Sequence, residues 1–157
     1  MIGGAGADDL MGGAGADTIQ GGEGNDTIHG GAGDDAVFGG TGNDLIEGGA
    51  GDDVLMGGAG ADTFMFGADA FGLGVDTILD FDADGGDALN ISEVLAGYDP
   101  LTDVISDFVE VNEDNGDFTV SVNEDGNGND FIDVAVFSNT GDLGNITDLI
   151  DNGTIIV

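Results

Sequence analysis

The sequence contains no lysine, no arginine and no cysteine among its 157 residues. Without cysteine, the chain can form neither disulfide bonds nor thiolate metal sites. Without lysine and arginine it lacks the side chains that neutralise phosphates, which excludes nucleic acid as a partner and disfavours an acidic membrane surface. The sequence also has no run of about 18 apolar residues, so we expect no membrane insertion.

Acidic residues, in contrast, are abundant: 33 Asp and Glu give a formal net charge of −33. Because no lysine or arginine can pair with them, a compact chain must overcome its own repulsion unless external cations neutralise it. Soluble metal ions are the obvious candidates. The alternative is a disordered acidic chain, but a hydrophobic content of 40% argues against it, since disorder favours low hydrophobicity.

A nine-residue motif repeats seven times without interruption from Gly3 to Met65. Glycine occupies positions one, two and four of every repeat. Aspartate occupies position six, at Asp8, Asp17, Asp26, Asp35, Asp44, Asp53 and Asp62. Position eight is always large and apolar, at Leu10, Ile19, Ile28, Val37, Ile46, Leu55 and Phe64. A fixed period of this kind predicts units that stack on one another.

Each repeat predicts a turn at positions one to six and a three-residue strand at positions seven to nine, because glycine-rich stretches turn the chain. Two consecutive repeats then make one coil with a strand on each side. Coils stacked at about 4.8 Å form two parallel sheets that pack face to face over the position-eight side chains. The sequence therefore predicts a mostly β fold built around a parallel β-roll.

Stacking also places the position-six aspartates in two columns, with about 5 Å between successive members. Carboxylates in such a column repel each other unless a divalent cation lies between consecutive turns. Calcium accepts six to eight oxygens from carboxylates and carbonyls, whereas magnesium keeps its waters and zinc prefers His or Cys. Glycine suits such a site because it tolerates positive φ, which lets a turn direct several carbonyls at one ion.

The pattern GGxGxDxUx, in which U is a large apolar residue, resembles the nonapeptide calcium-binding repeat of RTX proteins over residues 3 to 65. The resemblance implies a calcium-stabilised parallel β-roll that holds at least five Ca²⁺ ions. In that family, each ion takes the carbonyls of positions two and four and the aspartate of one turn. The carbonyls of positions one and three and the aspartate of the turn two repeats later complete the site.

Carried over to this chain, the resemblance implies five regular sites and one irregular site. The first comprises Gly4, Gly6, Asp8, Gly21, Glu23 and Asp26, and the second Gly13, Gly15, Asp17, Gly30, Ala32 and Asp35. The third comprises Gly22, Gly24, Asp26, Gly39, Thr41 and Asp44, and the fourth Gly31, Gly33, Asp35, Gly48, Ala50 and Asp53. The fifth comprises Gly40, Gly42, Asp44, Gly57, Ala59 and Asp62. The irregular site uses Gly49, Gly51 and Asp53 and is closed by Asp76 of the degenerate repeat FGLGVDTIL (71–79).

Residues 67 to 157 do not repeat, and we expect them to form a second region after a roll of residues 1 to 66. Four segments alternate or cluster apolar residues as strands do: VDTILDF (75–81), DFTVSV (117–122), FIDVAVF (131–137) and the terminal TIIV. Two segments predict short helices: ISEVLAG (91–97) and NITDLIDNG (145–153). The expected fold of this region is a β-rich cap with a few short helices.

Two acidic loops and the single histidine each allow a metal site or a simpler role. DFDADGGD (80–87) has the spacing of a calcium loop but lacks the glutamate of an EF-hand, and it equally fits a solvated turn. NEDGNGND (123–130) fits a hairpin loop better than a site. His29 is expected to face solvent. With one histidine and no lysine or arginine, no catalytic arrangement is recognisable, and we do not expect an enzyme.

The segments DTILDFDADGGDALNISEVL (76–95) and ITDLIDNGTIIV (146–157) resemble the C-terminal target region of proteins exported by type I secretion, especially large bacterial RTX adhesins. That resemblance implies a secreted, cell-surface module with calcium and the secretion machinery as partners and an unknown surface ligand. It also implies an uncleaved export signal at the C-terminus, which would account for the lack of a recognisable N-terminal signal peptide. The alternatives are an adhesive or ice-binding roll, a structural spacer, or the C-terminal roll of a secreted hydrolase.

Overall fold

The structure of the chain is a computed structural model that describes residues 1–67, 74–95, 103, 105–123, 126, 130–138, 150 and 153–157. These residues contain fourteen β-strands and one 3-10 helix, Ile105–Asp107. The prediction of a mostly β fold is therefore confirmed. In this described part of the chain, no helix has the length and apolarity needed to cross a membrane.

The strands fall into two groups along the chain. The repeat region contains β1 (Ile2–Ala5), β2 (Asp9–Ala14), β3 (Thr18–Glu23), β4 (Thr27–Ala32), β5 (Ala36–Thr41), β6 (Leu45–Ala50), β7 (Val54–Ala59) and β8 (Thr63–Met65). After the repeats come β9 (Asp76–Ile78), β10 (Ala88–Asn90), β11 (Val109–Asp114), β12 (Asp117–Val122), β13 (Ile132–Ser138) and β14 (Ile155–Ile156).

The strands of the repeats are longer than the sequence predicts. Strands β2 to β7 each have six residues and run from position seven of one repeat to position three of the next. The expectation of a three-residue strand is therefore wrong. The fixed spacing of two repeats places equivalent glycines side by side, as Gly22 and Gly40 are in the β3–β5 pair. Because stacked turns share one backbone conformation, the parallel pairing continues through these glycines.

Successive strands alternate between two parallel sheets. The first sheet contains β1, β3, β5, β7 and β9 in that spatial order, and the second contains β2, β4, β6, β8 and β10. Position-eight residues stand opposite one another, as Ile19 and Val37 do in the first sheet and Ile28 and Ile46 do in the second. The predicted alternation of repeats between two sheets is confirmed.

The position-eight side chains form the core between the sheets. Ile19, Ile28, Val37, Ile46, Leu55 and Phe64 are all 0% exposed. Ile78 of β9 and Leu89 of β10 extend this row beyond the repeats, also at 0% exposure. The predicted face-to-face packing over position eight is therefore confirmed, and it positions the turns along both edges of the stack.

Both sheets continue past the last repeat. In the first sheet, β13 pairs in parallel with β9, and β12 and β11 follow in antiparallel order. In the second sheet, β14 pairs in parallel with β10. The buried apolar residues of all these strands belong to one hydrophobic cluster. The division of the chain after residue 66 stays a prediction.

The structure contains strands at all four predicted positions of the C-terminal region, as β9, β12, β13 and β14. Strands β10 and β11 were not predicted. Of the helix predicted at 91–97, residues 92–95 form a turn in which the N–H groups of Val94 and Leu95 donate to the carbonyl of Ile91. Its last two residues lie outside the described residues, as does the helix predicted at 145–153 except for Ile150 and Gly153.

Candidate metal centre

The position-six aspartates form two columns, one along each edge of the stack. The Asp8 column contains Asp8, Asp26, Asp44 and Asp62, and the Asp17 column contains Asp17, Asp35 and Asp53. In both, the backbone N–H of one aspartate donates to Oδ1 of the aspartate two repeats later, over 2.7 to 2.9 Å. This bond gives Oδ1 of the later aspartate a hydrogen-bond donor. It does not involve the second carboxylate oxygen, Oδ2.

In the described residues, Oδ2 is buried without a hydrogen-bond partner in six aspartates: Asp8, Asp26, Asp35, Asp44, Asp53 and Asp62. The last five residues are only 1 to 3% exposed as a whole. An ionised carboxylate taken out of water costs several kcal/mol unless another group compensates it. Since the chain has no lysine or arginine, a bound cation is the compensation that this arrangement fits.

The position-one glycines line the space into which these oxygens point. A Cβ atom added to Gly21 would lie 2.4 Å from Asp26 Oδ2 and 2.5 Å from the carbonyl oxygen of Gly39. A Cβ atom on Gly39 would similarly lie 2.4 Å from Asp44 Oδ2 and 2.6 Å from the carbonyl oxygen of Gly57. Each of these turns therefore brings its own Oδ2 close to a carbonyl of the turn two repeats later. Oxygens of this type are the ligands that calcium prefers.

Glycines at positions two and four all have positive φ, for example 123° at Gly22 and 122° at Gly24. The predicted need for glycine at these positions is confirmed, whereas position one requires glycine because a Cβ has no room there. The position-three carbonyls have an additional role: the oxygen of Glu23 accepts a hydrogen bond from the N–H of Gly6 at 2.7 Å. A carbonyl oxygen has two lone pairs, so this bond leaves one for an ion.

The predicted ligands of the five regular sites all lie in these stacked turns, and each site joins two turns that are two repeats apart. The repeat sequence also matches a known family: residues 2–37 and 38–70 fit the model described as RTX calcium-binding nonapeptide repeat (4 copies). The repeat region is an RTX β-roll. RTX repeats bind calcium, so the chain contains a calcium-binding module. No curated protein sequence matches the chain.

The chain is also similar to solved structures of two subunits of the Azotobacter vinelandii mannuronan C5-epimerase. The solution structure of the AlgE6R2 subunit is 27% identical, with a TM-score of 0.49, and the match covers 99% of this chain and 90% of that chain. The solution structure of the AlgE6R3 subunit is 29% identical, with a TM-score of 0.42, and the match covers 85% of this chain and 71% of that chain.

The RTX roll continues beyond its seven repeats at both edges. The N–H of Asp53 donates to Asp76 Oδ1 at 3.1 Å, which places Asp76 next in the Asp17 column, as the degenerate repeat predicts. The N–H of Asp62 donates to Asp87 Oδ1 at 2.9 Å, so Asp87 follows in the Asp8 column. Asp87 was not predicted as part of the roll. The signal was present, since Asp87 and Leu89 keep the spacing of positions six and eight.

Burial raises the pKa of several aspartates in the RTX roll, and neighbouring carboxylates raise it further. The pKa of Asp62 rises to about 6 through burial and through the charges of Asp87, Asp44 and Asp80. The pKa of Asp76 rises to about 8, mainly through burial and the charge of Asp53. Without a bound cation, the folded roll therefore favours the protonated form of these carboxyl groups, which are ionised in water at neutral pH.

Carboxylates alone do not form a site: no group of three or more His, Cys, Asp or Glu in the described residues could hold a metal ion. The predicted ligand sets do not require such a group, because each regular site in them has two carboxylates and takes its other ligands from carbonyls. His29 lies on the outer face of the second sheet, where its Nδ1 is 2.6 Å from Glu47 Oε2. The expected solvated histidine is thus half-exposed and paired with a carboxylate.

Proposed function

We propose that this chain is a calcium-dependent folding and export module of a type I secreted bacterial surface protein, such as an RTX adhesin. The observation that carries the proposal is the row of buried Oδ2 atoms without partners in the described residues of a chain that has no lysine or arginine. Such a chain folds favourably only where external cations are abundant. The calcium concentration then determines whether the chain is unfolded or folded.

The order of export, calcium binding and folding follows from the charges of the chain. At low calcium the aspartates of each column repel one another, and the chain stays extended enough to pass a secretion channel. Calcium sites in extracellular modules bind at about 0.1 to 1 mM, so the ions bind after export. Each ion neutralises carboxylates that the fold buries, and its binding free energy stabilises the roll.

The same proposal assigns the ions to the spaces between turns two repeats apart, with the five regular ligand sets given above. It also assigns a site to Asp53 and Asp76, with the carbonyls of Gly49 and Gly51. The buried Oδ2 of Asp53 and its bond to Asp76 support this last site. In all of them the chain supplies only oxygen ligands, and the role of the ion is structural.

For residues 67–157 we propose the roles of cap and export target, with residues 1–66 as the roll. The cap role is supported by β13 and β14, which cover the last strands of the two sheets. The export role, the adhesin context and the cell-surface location rest on the resemblance to type I secretion targets. We propose that the chain itself is not an enzyme.

The folding part of the proposal is tested by circular dichroism of the full chain, titrated from excess chelator to about 10 mM calcium. We expect a cooperative gain of strand signal with calcium and little gain with equal magnesium. A strand signal that is already complete in chelator would refute calcium-dependent folding.

The export part is tested with a passenger protein fused to residues 67–157, with and without the roll, in a host that carries a type I secretion system. We expect secretion of both fusions and calcium-dependent folding only of the one that contains the roll. A passenger that is retained in both cases would refute the assignment of the export target.

A further inference from the structure

The outer face of the first sheet carries no charged side chain along the roll. Positions seven and nine flank the buried position eight, so their side chains point away from the core. In β1, β3, β5, β7 and β9 and at the residue after β9, these side chains are Ile2, Thr18, Gln20, Ala36, Phe38, Val54, Met56, Thr77 and Leu79, which we call the neutral face. The same positions in the second sheet include Asp9, His29 and Glu47. The two outer faces of the roll therefore differ in charge.

One row of the neutral face is mostly apolar. The register aligns position nine of successive strands in the order Ile2, Gln20, Phe38, Met56 and Leu79. Ile2 is 73% exposed and Leu79 is 40% exposed, while Phe38 and Met56 are half-buried. At the β1 end of the row, a depression of about 530 Å³ is lined by Met1, Ile2, Thr18, Gln20 and Phe38. Exposed apolar surface of this kind marks a contact with a partner.

Beyond β9 the same side of the sheet becomes acidic. Residues opposite one another in neighbouring strands share a face, so the register from Thr77 through Val136 to Thr119 identifies this side of β11, β12 and β13. It carries four exposed carboxylates: Glu110, Asp114, Asp117 and Asp133. The outer side of the first sheet thus has a neutral half and an acidic half.

We propose that the neutral face binds the neutral face of a second copy of this chain. In the proposed dimer a two-fold axis runs along β5, between the two copies, and reverses the order of the strands in the second copy. Strand β1 then faces β9 of the second copy, β3 faces β7, and β5 faces its own counterpart. An axis perpendicular to the strands would place the acidic halves against each other. The axis along β5 places them at opposite ends of the dimer, where their repulsion is weakest.

The position-nine side chains fit one another in this arrangement. Phe38 packs on Phe38 of the second copy, and Leu79 of the second copy covers Ile2. Met56 of the second copy enters the depression beside Gln20, and methionine adapts well to irregular gaps because it is unbranched. Both copies repeat at the strand spacing of about 4.8 Å, so the rows match along the whole face, as in aligned sheets of a β-sandwich.

The size of the neutral face determines how strong the dimer is. Five strands about 4.8 Å apart and about 20 Å long cover about 500 Å² per copy. The total of about 1,000 Å² is at the low end of specific interfaces, so we expect a weak, reversible dimer. Repulsion between two acidic chains weakens it further at low salt. The dimer needs a folded roll and in that respect rests on the proposed function, but it is independent of export.

The test is sedimentation velocity of the full chain in about 10 mM free calcium, from about 1 μM to about 1 mM protein. Interference optics are used because the chain has one tyrosine and no tryptophan. Met56→Glu adds a charge to the neutral face. The matched control is Met65→Glu, because Met65 is also half-buried at position nine but lies on the second sheet. Circular dichroism verifies folding, and Gln20→Glu, at an exposed residue of the neutral face, carries the test if Met56→Glu does not fold.

We expect the unaltered chain to shift from monomer toward dimer as its concentration rises, and to do so more at high salt, which screens the repulsion. Met56→Glu and Gln20→Glu should dimerise at least tenfold more weakly, and Met65→Glu like the unaltered chain. A chain that stays monomeric throughout would overturn the proposal, as would equal association of the neutral-face variants and the control. A chain that folds and dimerises in chelator would instead overturn calcium-dependent folding and leave this interface intact.

Cross-linking tests the two-fold axis, since the chain has no cysteine of its own. Ala36 of β5 lies beside the axis and faces Ala36 of the second copy. Under oxidation, Ala36→Cys should therefore form a disulfide-linked dimer faster than Thr27→Cys, a half-buried position-seven residue of the second sheet. Equal rates of cross-linking for the two variants would overturn the arrangement.

Discussion

The RTX roll and the strands that follow it share the same two sheets, but they are stabilised by different means. In the roll each strand from β2 to β8 contributes one buried apolar side chain between the sheets, and buried aspartates line both edges. After the roll the core becomes aromatic: the ring of Phe81 lies 6.0 Å from that of Phe64 and 4.6 Å from that of Phe137. In the β9–β13 pair, Ala135 stands opposite Asp76, so the Asp17 column ends at an apolar residue.

This difference shows how far a strict repeat limits the core. A period of nine with glycine at three positions leaves one large apolar side chain per repeat at position eight. Such a narrow core does not offset the conformational entropy of so many ordered glycines. We propose that bound calcium makes up this deficit in the roll, whereas the later strands are free of the period, and β12 and β13 each bury three apolar side chains.

The largest expected effect is a selective loss of structure in the roll when calcium is removed. At 100 times its dissociation constant each ion adds about 2.7 kcal/mol, so five ions add on the order of 10 kcal/mol when shared ligands are allowed for. Hydrogen exchange of the full chain in chelator should show protection lost in β3 to β7 to a greater extent than in β12. Equal loss in both would mean that roll and cap unfold as one unit.

Much of the roll could be predicted from sequence because the period constrains it. The register of two repeats, the buried position eight and the aspartate columns all follow from repeats that adopt the same conformation. Asp87 and Leu89 keep the spacing of positions six and eight, but Asp87 lies 25 residues after Asp62, so the period alone does not place Asp87 and β10 in the roll. The loop from 79 to 87 has a turn of its own, and only tertiary packing brings it into the position of a repeat.

The next largest effect is on the free energy of unfolding. We expect an aspartate in the middle of a column to contribute more to it than the first aspartate of a column. Asp35 takes part in bonds to both neighbouring turns, through Asp17 and Asp53, and the proposed ligand sets assign it to two sites. Asp8 belongs to one. Asp35→Ala should therefore cost about twice as much as Asp8→Ala, roughly 5 against 3 kcal/mol, in urea unfolding at about 10 mM calcium. Identical costs would contradict the sharing of aspartates between sites.

A position-one glycine should be less tolerant of a methyl group than a glycine of the cap. Gly39→Ala places Cβ 2.4 Å from Asp44 Oδ2 and 2.6 Å from the Gly57 oxygen, so overpacking alone should cost about 1 to 3 kcal/mol. The control is Gly116→Ala in the β11–β12 hairpin, where φ is 91° and no described atom lies within 4 Å. The control should lose stability through backbone strain but keep its calcium affinity. Unchanged calcium affinity in Gly39→Ala would refute the role of position one.

In the absence of calcium, we expect a smaller effect of pH on the stability of the roll. The folded roll raises the pKa of Asp62 to about 6 and of Asp76 to about 8, above the unfolded value of about 3.9. The folded state therefore binds more protons than the unfolded state, and its stability must rise as pH falls from about 8 toward 4. In chelator, strand signal should increase between pH 8 and 5, above the sequence pI of 4.1. Asp76→Asn should weaken this dependence, and a signal that falls with acid would contradict the argument.

The smallest expected change in stability concerns position five of the repeats, where the two edges of the roll carry different side chains. At the edge of the Asp8 column, the N–H of Asn43 donates to Asn25 Oδ1 at 2.9 Å. At the edge of the Asp17 column, the N–H of Asp52 donates to Asp34 Oδ1 at 3.1 Å. The two edges thus make the same bond with neutral and with charged side chains. The charge of Asp52 also contributes to the raised pKa of Asp76, so it opposes the ionised column.

Asp52→Asn keeps an oxygen that can accept the N–H of Val75 and removes one exposed negative charge. It should raise stability by a few tenths of a kcal/mol at low salt, the scale of a surface substitution. The gain should shrink at high salt because exposed charges are screened. Asn43→Asp on the opposite edge is the reciprocal change and should lower stability by a similar amount. Both are measured by thermal unfolding at a fixed calcium concentration. A loss of stability in Asp52→Asn would mean that the outer carboxylates of this edge attract cations of their own, and the two edges would then differ in function as well as in charge.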